Sequence, residues 1–176
     1  GYTETFGKSI DGGQTWTDLT NTFSKPTVYT LKESYNGSLY AQTCRNFSFE
    51  CSRDSGQTWA FLRVDSALSV QVRSLATRPD GVMLGAGADG LLYRSVDYGL
   101  TWDTLPVGIP NVLPYGSDCY ADRNGAFYIS DFAGRMHRSV NDGETWTPLG
   151  LWSDYTGEYI FHPNGDIYYL NSLSVI

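Results

Sequence analysis

Polar turn dipeptides interrupt the alternation of apolar and polar residues at four regular points along this chain. Each dipeptide is Asn-Gly or Asp-Gly, and mostly apolar residues follow it. The four segments are Asn36-Gly37-Ser38-Leu39-Tyr40, Asp80-Gly81-Val82-Met83-Leu84, Asn124-Gly125-Ala126-Phe127-Tyr128 and Asn164-Gly165-Asp166-Ile167-Tyr168. Because both residue types tolerate the positive φ of a type I′ turn, each segment predicts a β-hairpin. Sustained helical periodicity is hard to find, so the pattern predicts an all-β chain.

An eight-residue motif, here called the octet, lies between these turns and also occurs four times. Successive copies start 43, 43 and 44 residues apart. They read Ser9-Ile10-Asp11-Gly12-Gly13-Gln14-Thr15-Trp16, Ser52-Arg53-Asp54-Ser55-Gly56-Gln57-Thr58-Trp59, Ser95-Val96-Asp97-Tyr98-Gly99-Leu100-Thr101-Trp102 and Ser139-Val140-Asn141-Asp142-Gly143-Glu144-Thr145-Trp146. Two hairpins per repeat give four strands in about 43 residues, which is typical of one β-propeller blade.

The octet resembles the Asp-box, also called the bacterial neuraminidase repeat, whose pattern is Ser-x-Asp-x-Gly-x-x-Trp. The resemblance implies an all-β propeller of four-stranded antiparallel blades, in which the Asp-boxes are fold staples away from the active site. Physically, the Asp carboxylate can accept backbone N–H bonds, the Gly supplies positive φ, and the Trp anchors the turn. We assign this structural role to Asp11, Trp16, Asp54, Trp59, Asp97, Trp102, Asn141 and Trp146. Asn141 departs from the pattern because its amide has one acceptor oxygen.

The repeat predicts one propeller domain over residues 1–176. With strands lettered A to D from the axis outward, blades are expected near 27–63, 70–105 and 112–149, and a fourth from 1–20 plus 157–176. The two incomplete ends allow a closed four-bladed ring, in which terminal strands pair and no edge is exposed. The alternative is a segment of a larger propeller, which is slightly favoured because known four-bladed rings carry a different repeat.

Ligands of propellers usually bind at the face formed by the B–C and D–A loops. A glycosidase needs two carboxylates about 5–10 Å apart at such a face. Weak candidates for catalytic carboxylates are Asp118, Asp131 and Glu158, and candidate ligand-binding residues are Arg73, Tyr115, Trp152, Asp154 and Tyr155. We favour the interpretation that the acidic residues lie in solvated loops and that the aromatic residues belong to the core of the blades.

The arginine content argues against a sialidase, the activity that the Asp-box superficially suggests. Counting back seven residues from each A–B turn gives four equivalent strand-A positions, Tyr29, Arg73, Ser117 and Gly157. Only one of these is arginine, whereas sialidases use three to clamp a carboxylate. The chain also lacks the Phe/Tyr-Arg-Ile-Pro motif that opens such enzymes.

Charge and composition exclude several other classes of function. The net charge is -7 and the sequence pI is about 4.6, so a nucleic-acid ligand and an anionic membrane surface are both disfavoured. No run of apolar residues is long enough to insert into a membrane. Neither a metal site nor a cofactor is predicted, because the His and Cys residues have no ligand spacing.

The sequence has three cysteines, and it leaves open whether two of them form a disulfide. Cys44 and Cys51 flank a short loop, where two antiparallel strands could place them opposite each other in a disulfide. The alternative is two unpaired thiols. Cys119 is expected to be free and buried in a strand.

The sequence therefore favours a non-catalytic propeller module that binds or scaffolds protein or glycan. Its blades resemble those of sortilin-type receptors and photosystem assembly factors, which implies an extracellular, cell-surface or periplasmic location. The alternative is part of a sialidase- or xyloglucanase-like glycoside hydrolase with catalytic residues partly outside this chain. Open blade edges would meet the rest of a larger propeller or another chain.

Overall fold

The structure, a computed structural model, describes residues 6–23, 28–43, 48–64, 72–106, 118–131, 135–151, 157–162 and 164–171. Within these ranges the only helical element is one short 3₁₀ turn, Thr20–Thr22. The prediction of an all-β chain is therefore confirmed. In the same ranges, no helix has the length and apolarity needed to cross a membrane.

The described strands form five antiparallel sheets that follow one another along the chain. The first is a hairpin of β1 (Gly7–Lys8) and β2 (Thr17–Asp18). Blade 1 contains β3 (Val28–Glu33), β4 (Leu39–Thr43), β5 (Ser48–Ser52) and β6 (Ala60–Phe61). Blade 2 contains β7 (Val72–Thr77), β8 (Met83–Gly87), β9 (Leu92–Ser95) and β10 (Asp103–Leu105). Blade 3 contains β11 (Cys119–Ala121), β12 (Phe127–Ser130), β13 (Arg135–Ser139) and β14 (Thr147–Leu151). The last is a hairpin of β15 (Gly157–Phe161) and β16 (Ile167–Asn171).

The A–B turns lie where the dipeptides predicted them, but their type differs from the prediction. In the first turn the Gly37 N–H donates to the Ser34 carbonyl at 2.9 Å, and the Ser34 N–H donates to the Ser38 carbonyl at 2.9 Å. Gly37 has φ of +81°, whereas Asn36 is not among the residues with positive φ. The loop therefore has three residues and ends in a left-handed glycine, so a type I turn with a bulge replaces the expected type I′ turn.

One register holds in all three complete blades. The first residue of strand B pairs with the serine that opens the octet, as in the pairs Leu39–Ser52, Met83–Ser95 and Phe127–Ser139. Because the side-chain period of a strand is two, this shared register sends equivalent residues of every blade to the same face.

The core lies between successive blades. Tyr40, Val72 and Met83 pack between blades 1 and 2, while Leu84 and Phe127 pack between blades 2 and 3. All five side chains have no exposed surface. Burying a side chain of this size stabilises the fold by about 1.5–3 kcal/mol, so contacts between neighbouring blades supply much of the stability.

The two terminal hairpins form separate two-stranded sheets. In the described part of the chain, β1 pairs only with β2, and β16 pairs only with β15. The terminal strands thus do not pair with each other, and the closed four-bladed ring is not formed.

Of the two cysteines that the sequence offered for a disulfide, Cys51 lies opposite Tyr40 and is a buried free thiol. Cys44 lies outside the described residues. Cys119 is free and buried in β11, as expected.

Candidate functional site

The octet turns use one hydrogen-bond scheme, which the second copy illustrates. The Ser52 hydroxyl donates to Asp54 Oδ1 at 2.8 Å and accepts the Gly56 N–H at 2.8 Å. Asp54 Oδ1 accepts the Thr58 N–H at 2.9 Å, and Oδ2 accepts the Thr58 hydroxyl. The indole N–H of Trp59 donates to the Gly56 carbonyl at 3.2 Å. Both carboxylate oxygens are therefore occupied by the turn itself.

The carboxylates of these turns are held in their ionised form. The pKa values of Asp11, Asp54 and Asp97 are each lowered to about 2. For Asp11 and Asp54 the largest cause is the hydrogen bond from the octet threonine hydroxyl. For Asp97 partial burial acts in the opposite direction, and hydrogen bonds from the octet threonine and serine outweigh it.

The fourth octet keeps the scheme with an amide in place of the carboxylate. Asn141 Oδ1 accepts the Ser139 hydroxyl at 3.0 Å and the Thr145 N–H at 3.0 Å. Its Nδ2 donates to the Thr145 hydroxyl at 2.9 Å, reversing the direction of that bond. A neutral residue thus satisfies the same turn, which is consistent with a structural role for this position.

The A strands, here called the inner strands, carry a second group of polar side chains, distinct from the octet turns. We define the inner-strand surface by Lys32 in β3, Ser74 in β7, Asp118 before β11, Tyr120 in β11 and Tyr159 in β15. The Lys32 ammonium donates to the carbonyl of Leu75 in the next blade, and the Ser74 hydroxyl accepts the Cys119 N–H at 2.9 Å. Side chains from successive blades therefore meet here.

Asp118 supplies the acid of this surface; the residue is partly open to solvent, while groups around its carboxyl partly desolvate it. Desolvation by the neighbouring blades raises the pKa of its carboxyl, while the Lys32 ammonium and hydrogen bonds from Ser74 and Tyr120 act in the opposite direction. Burial likewise lowers the pKa of Lys32, against the attraction of the nearby acid. The surface thus combines a cation, a carboxyl that can gain a proton more readily than usual, and hydroxyl groups.

The other acidic candidates occupy different settings. Asp131 is 1% exposed, and its Oδ2 accepts Arg135 Nε at 2.8 Å and lies 3.1 Å from His137 Nε2. This carboxylate is enclosed in a B–C turn and does not reach the surface. Glu158 lies in β15 opposite Leu170.

Arg73 is half-buried in β7, where its carbonyl accepts the amide of Gln42 at 2.9 Å. The remaining binding candidates, Tyr115, Trp152, Asp154 and Tyr155, lie outside the described residues. Within the described ranges, no group of three or more His, Cys, Asp or Glu side chains could hold a metal ion.

Sequence reasoning missed Lys32, Ser74, Tyr120 and Tyr159. A usable signal was present for Ser74 alone, because the position six residues before the Asn or Asp of each A–B turn holds Thr30, Ser74, Asp118 and Glu158 in turn. The register confirms that these positions are equivalent, since Thr30 pairs with Gln42, Ser74 with Ala86 and Glu158 with Leu170. Counting seven residues back instead selects, in blades 1 and 2, Tyr29 and Arg73, each of which lies at a β-bulge in the pairing of strands A and B.

Comparisons with protein-family profiles and with curated proteins gave no match. Solved structures do match. An ancestral GH74 enzyme superimposes with a TM-score of 0.65 at 17% identity, over 93% of this chain and 24% of that one. The fold is a β-propeller.

Two further structures share this fold. YCF48 bound to D1 peptide gives a TM-score of 0.53 at 20% identity, over 72% of this chain and 42% of that one. Virginiamycin B lyase from Staphylococcus aureus gives 0.61 at 10% identity, over 98% and 64%. The chain therefore spans less than two thirds of the length of each of these propellers.

Proposed function

We propose that this chain is an Asp-box propeller module, secreted or displayed at a cell surface, that binds a protein segment or a glycan without catalysing a reaction. The observation that carries the proposal is the inner-strand surface. It places a lysine, an acid of raised pKa and tyrosines from successive blades together, at positions whose chemistry changes from repeat to repeat. Membership of the Asp-box family rests on the octet pattern and on the hydrogen bonds that each copy makes.

The chemistry of this surface fits a neutral, hydrogen-bonding ligand. Lys32 supplies donors, Asp118 supplies acceptors, and the Tyr120 and Tyr159 rings lie 5.3 Å apart in an edge-to-face arrangement. Hydroxyl-rich sugars and peptide backbones both offer donors and acceptors to such groups, and their apolar faces pack on tyrosine. Peptide binding by the propeller YCF48 is a property of that protein, and it makes a peptide a reasonable first ligand to test here.

A second candidate is a glycoside hydrolase, and one observation favours it. Asp118 and Glu158 occupy equivalent positions of neighbouring inner strands, and the pKa of Asp118 is raised, as a general acid requires. Two carboxylates on adjacent strands are the minimum that glycoside hydrolysis needs.

Binding and turnover measurements on the purified chain separate the two proposals. The chain is screened against peptide and glycan arrays and is incubated with sialosides and β-glucans. We expect binding without hydrolysis, and we expect Asp118→Asn to weaken binding about 10- to 100-fold because a charge-assisted hydrogen bond is lost. Glu144→Gln, at an exposed octet position, is the matched control and should leave binding unchanged. Hydrolysis that disappears in Asp118→Asn or Glu158→Gln would establish the enzyme instead.

A further inference from the structure

Three of the four A–B turns contain an Asn-Gly dipeptide, and the side chain of Asn124 differs from its two counterparts. Asn36 Oδ1 accepts the Ser38 N–H at 3.0 Å. Asn164 Oδ1 likewise accepts the Asp166 N–H at 3.0 Å, and its Nδ2 donates to Asp166 Oδ2 at 2.7 Å. The amides of Asn36 and Asn164 are therefore each fixed by their own turn.

In blade 3 an acid takes the role that the asparagine has in the other two turns. Asp122 is buried, and its Oδ1 accepts the N–H groups of both Asn124 and Ala126, at 2.9 Å and 2.8 Å. The Ala126 N–H is the equivalent of the group that the asparagine binds elsewhere. Among the described residues, the exposed side-chain amide of Asn124 accordingly has no hydrogen-bond partner.

The backbone N–H that follows Asn124 is also held less firmly than its counterparts. The Gly125 N–H donates to the Asp122 carbonyl across 3.4 Å. The equivalent bonds of Gly37 and Gly165 measure 2.9 Å and 3.0 Å. A backbone hydrogen bond is normally no longer than about 3.2 Å, so the one in blade 3 is weak. The asparagine amide and the N–H of the next glycine are thus both available for reaction in blade 3.

We propose that Asn124 is a site of spontaneous deamidation, with water as the only co-reactant. The Gly125 nitrogen loses its proton and forms a bond to Asn124 Cγ, while the Cγ–Nδ2 bond breaks and Nδ2 takes up a proton and leaves as ammonia. Water then opens the cyclic succinimide at either carbonyl, which leaves an aspartate or an isoaspartate at position 124. Glycine suits this step because it has no Cβ to obstruct the approach to its nitrogen.

The isoaspartate product disturbs a contact between two blades. It carries an extra methylene group in the main chain, immediately before Gly125. The Gly125 carbonyl accepts Arg78 Nη1 of blade 2 at 2.9 Å, and Arg78 also pairs with Asp142 in the octet of blade 3. Displacement of this carbonyl leaves the largely buried arginine without one of its acceptors, so isoaspartate formation weakens the junction between blades 2 and 3.

Peptide mapping of the intact chain tests the proposal. The folded chain is incubated at mildly alkaline pH, and conversion at each Asn-Gly dipeptide is followed by mass spectrometry. We expect Asn124 to react about three- to tenfold faster than Asn36 and Asn164, which is the protection that a single hydrogen bond gives. Incubation in urea is the control, since it removes the turns and should bring the three rates together. Equal rates in the folded chain, or a ratio that persists in urea, would overturn the proposal.

Two variants connect the rates and their consequence to the structure. Ser34→Ala removes a hydroxyl that donates to Asn36 Oδ1, so it should raise the rate at Asn36 about two- to fivefold and leave Asn124 unaffected. After incubation the native chain should unfold at a lower urea concentration than the fresh chain, whereas Asn124→Gln should keep its midpoint. An unchanged Asn36 rate, or an incubated native chain as stable as the fresh one, contradicts the inference.

Discussion

The octet turns and the inner-strand surface are built from the same repeat, yet they differ in what the repeat preserves. All four octets keep the Ser, Gly, Thr and Trp, and all four close the Ser–Gly and Trp–Gly hydrogen bonds. The equivalent inner positions instead hold Thr30, Ser74, Asp118 and Glu158. A group that recurs in every blade serves the blade, whereas groups that differ between blades can give one surface an asymmetric chemistry suited to a ligand.

The pKa shifts of the acidic residues also differ between the two regions. Hydrogen bonds lower the pKa values of the octet acids, so the folded state favours their ionised form. Desolvation raises the pKa of Asp118, so folding places this carboxyl in a less favourable setting. The octet acids and Asp118 thus differ in the direction of their pKa shifts.

The largest stability effect is expected at Arg78, which ties blade 2 to the A–B turn and the octet of blade 3. Its side chain is 10% exposed, and its guanidinium forms ion pairs with Asp80 and Asp142 and donates to the Gly125 carbonyl at 2.9 Å. Arg78→Met should lower the free energy of unfolding by about 2–3 kcal/mol, less than for a fully buried pair because both acids are partly exposed.

Urea denaturation measures this loss. Arg53→Met is the matched control, since Arg53 is exposed and reaches the Tyr98 and Gly99 carbonyls only at 3.4 Å. It should cost about 0.5 kcal/mol or less. Equal losses in the two variants would mean that the Arg78 network does not hold the blades together.

The octet serine should have the next largest effect. Ser95 is 1% exposed, and its hydroxyl accepts the buried Gly99 N–H at 2.8 Å. Ser95→Ala leaves that donor without its partner, so we expect a loss of about 1–3 kcal/mol in thermal or urea unfolding. Ser55→Ala, at an exposed position of another octet, should change stability little. If both serines prove equally dispensable, the hydrogen-bond scheme contributes nothing to the fold.

Acid should weaken the octet turns in a defined pH range. A carboxyl with a lowered folded-state pKa contributes stability above its ordinary pKa, and the contribution is lost as pH falls toward the folded-state value. For Asp11, Asp54 and Asp97 the range runs from about 4 down to about 2. The urea midpoint should therefore fall over this range, and the variant with Asn at all three positions should show a shallower fall.

Part of the acid dependence should survive in that triple variant. The pKa values of Asp18 and Asp80 are also lowered, by hydrogen bonds to Thr20 and Arg78 respectively. An identical slope in the native chain and the triple variant would show that the octet acids do not govern acid unfolding.

The smallest effect is expected for Asp97→Asn. Asn141 shows that an amide retains the threonine N–H bond and the contact with the threonine hydroxyl. The substitution should cost less than about 1 kcal/mol, because it replaces charge-assisted bonds by neutral ones at a partly exposed site. Calorimetry of Asp97→Asn beside Asp97→Ala checks this, and equal destabilisation would mean that the acceptor oxygen is unimportant.

The sequence predicted the fold well because its decisive features are local. The Asn-Gly dipeptides and octets fix hairpins within a few residues, and their spacing fixes four strands per blade. The turn type was wrong because Asn36 and Gly37 were both assigned positive φ, whereas the loop needs it only at Gly37. The inner-strand surface was harder to predict because Lys32 and Asp118 meet only when three blades are stacked.

The burial of Asp131 was likewise not predicted from the sequence. As a loop acid it appeared accessible, but its partners Arg135 and His137 come from the following strand and enclose it. Burial of this kind depends on side-chain direction within one blade, which the order of residues does not specify.

The most direct test of the account measures stability and binding together in two single variants. Asp97→Ala removes an octet acid, and Asp118→Asn removes the inner acid, with the ligand taken from the array screen. We expect Asp97→Ala to lower the free energy of unfolding by about 0.5–2 kcal/mol and to leave the dissociation constant unchanged. Asp118→Asn should leave stability unchanged or slightly raised and weaken binding at least tenfold. Lost binding in Asp97→Ala with unchanged stability, or lost stability in Asp118→Asn with unchanged binding, would contradict the division of roles.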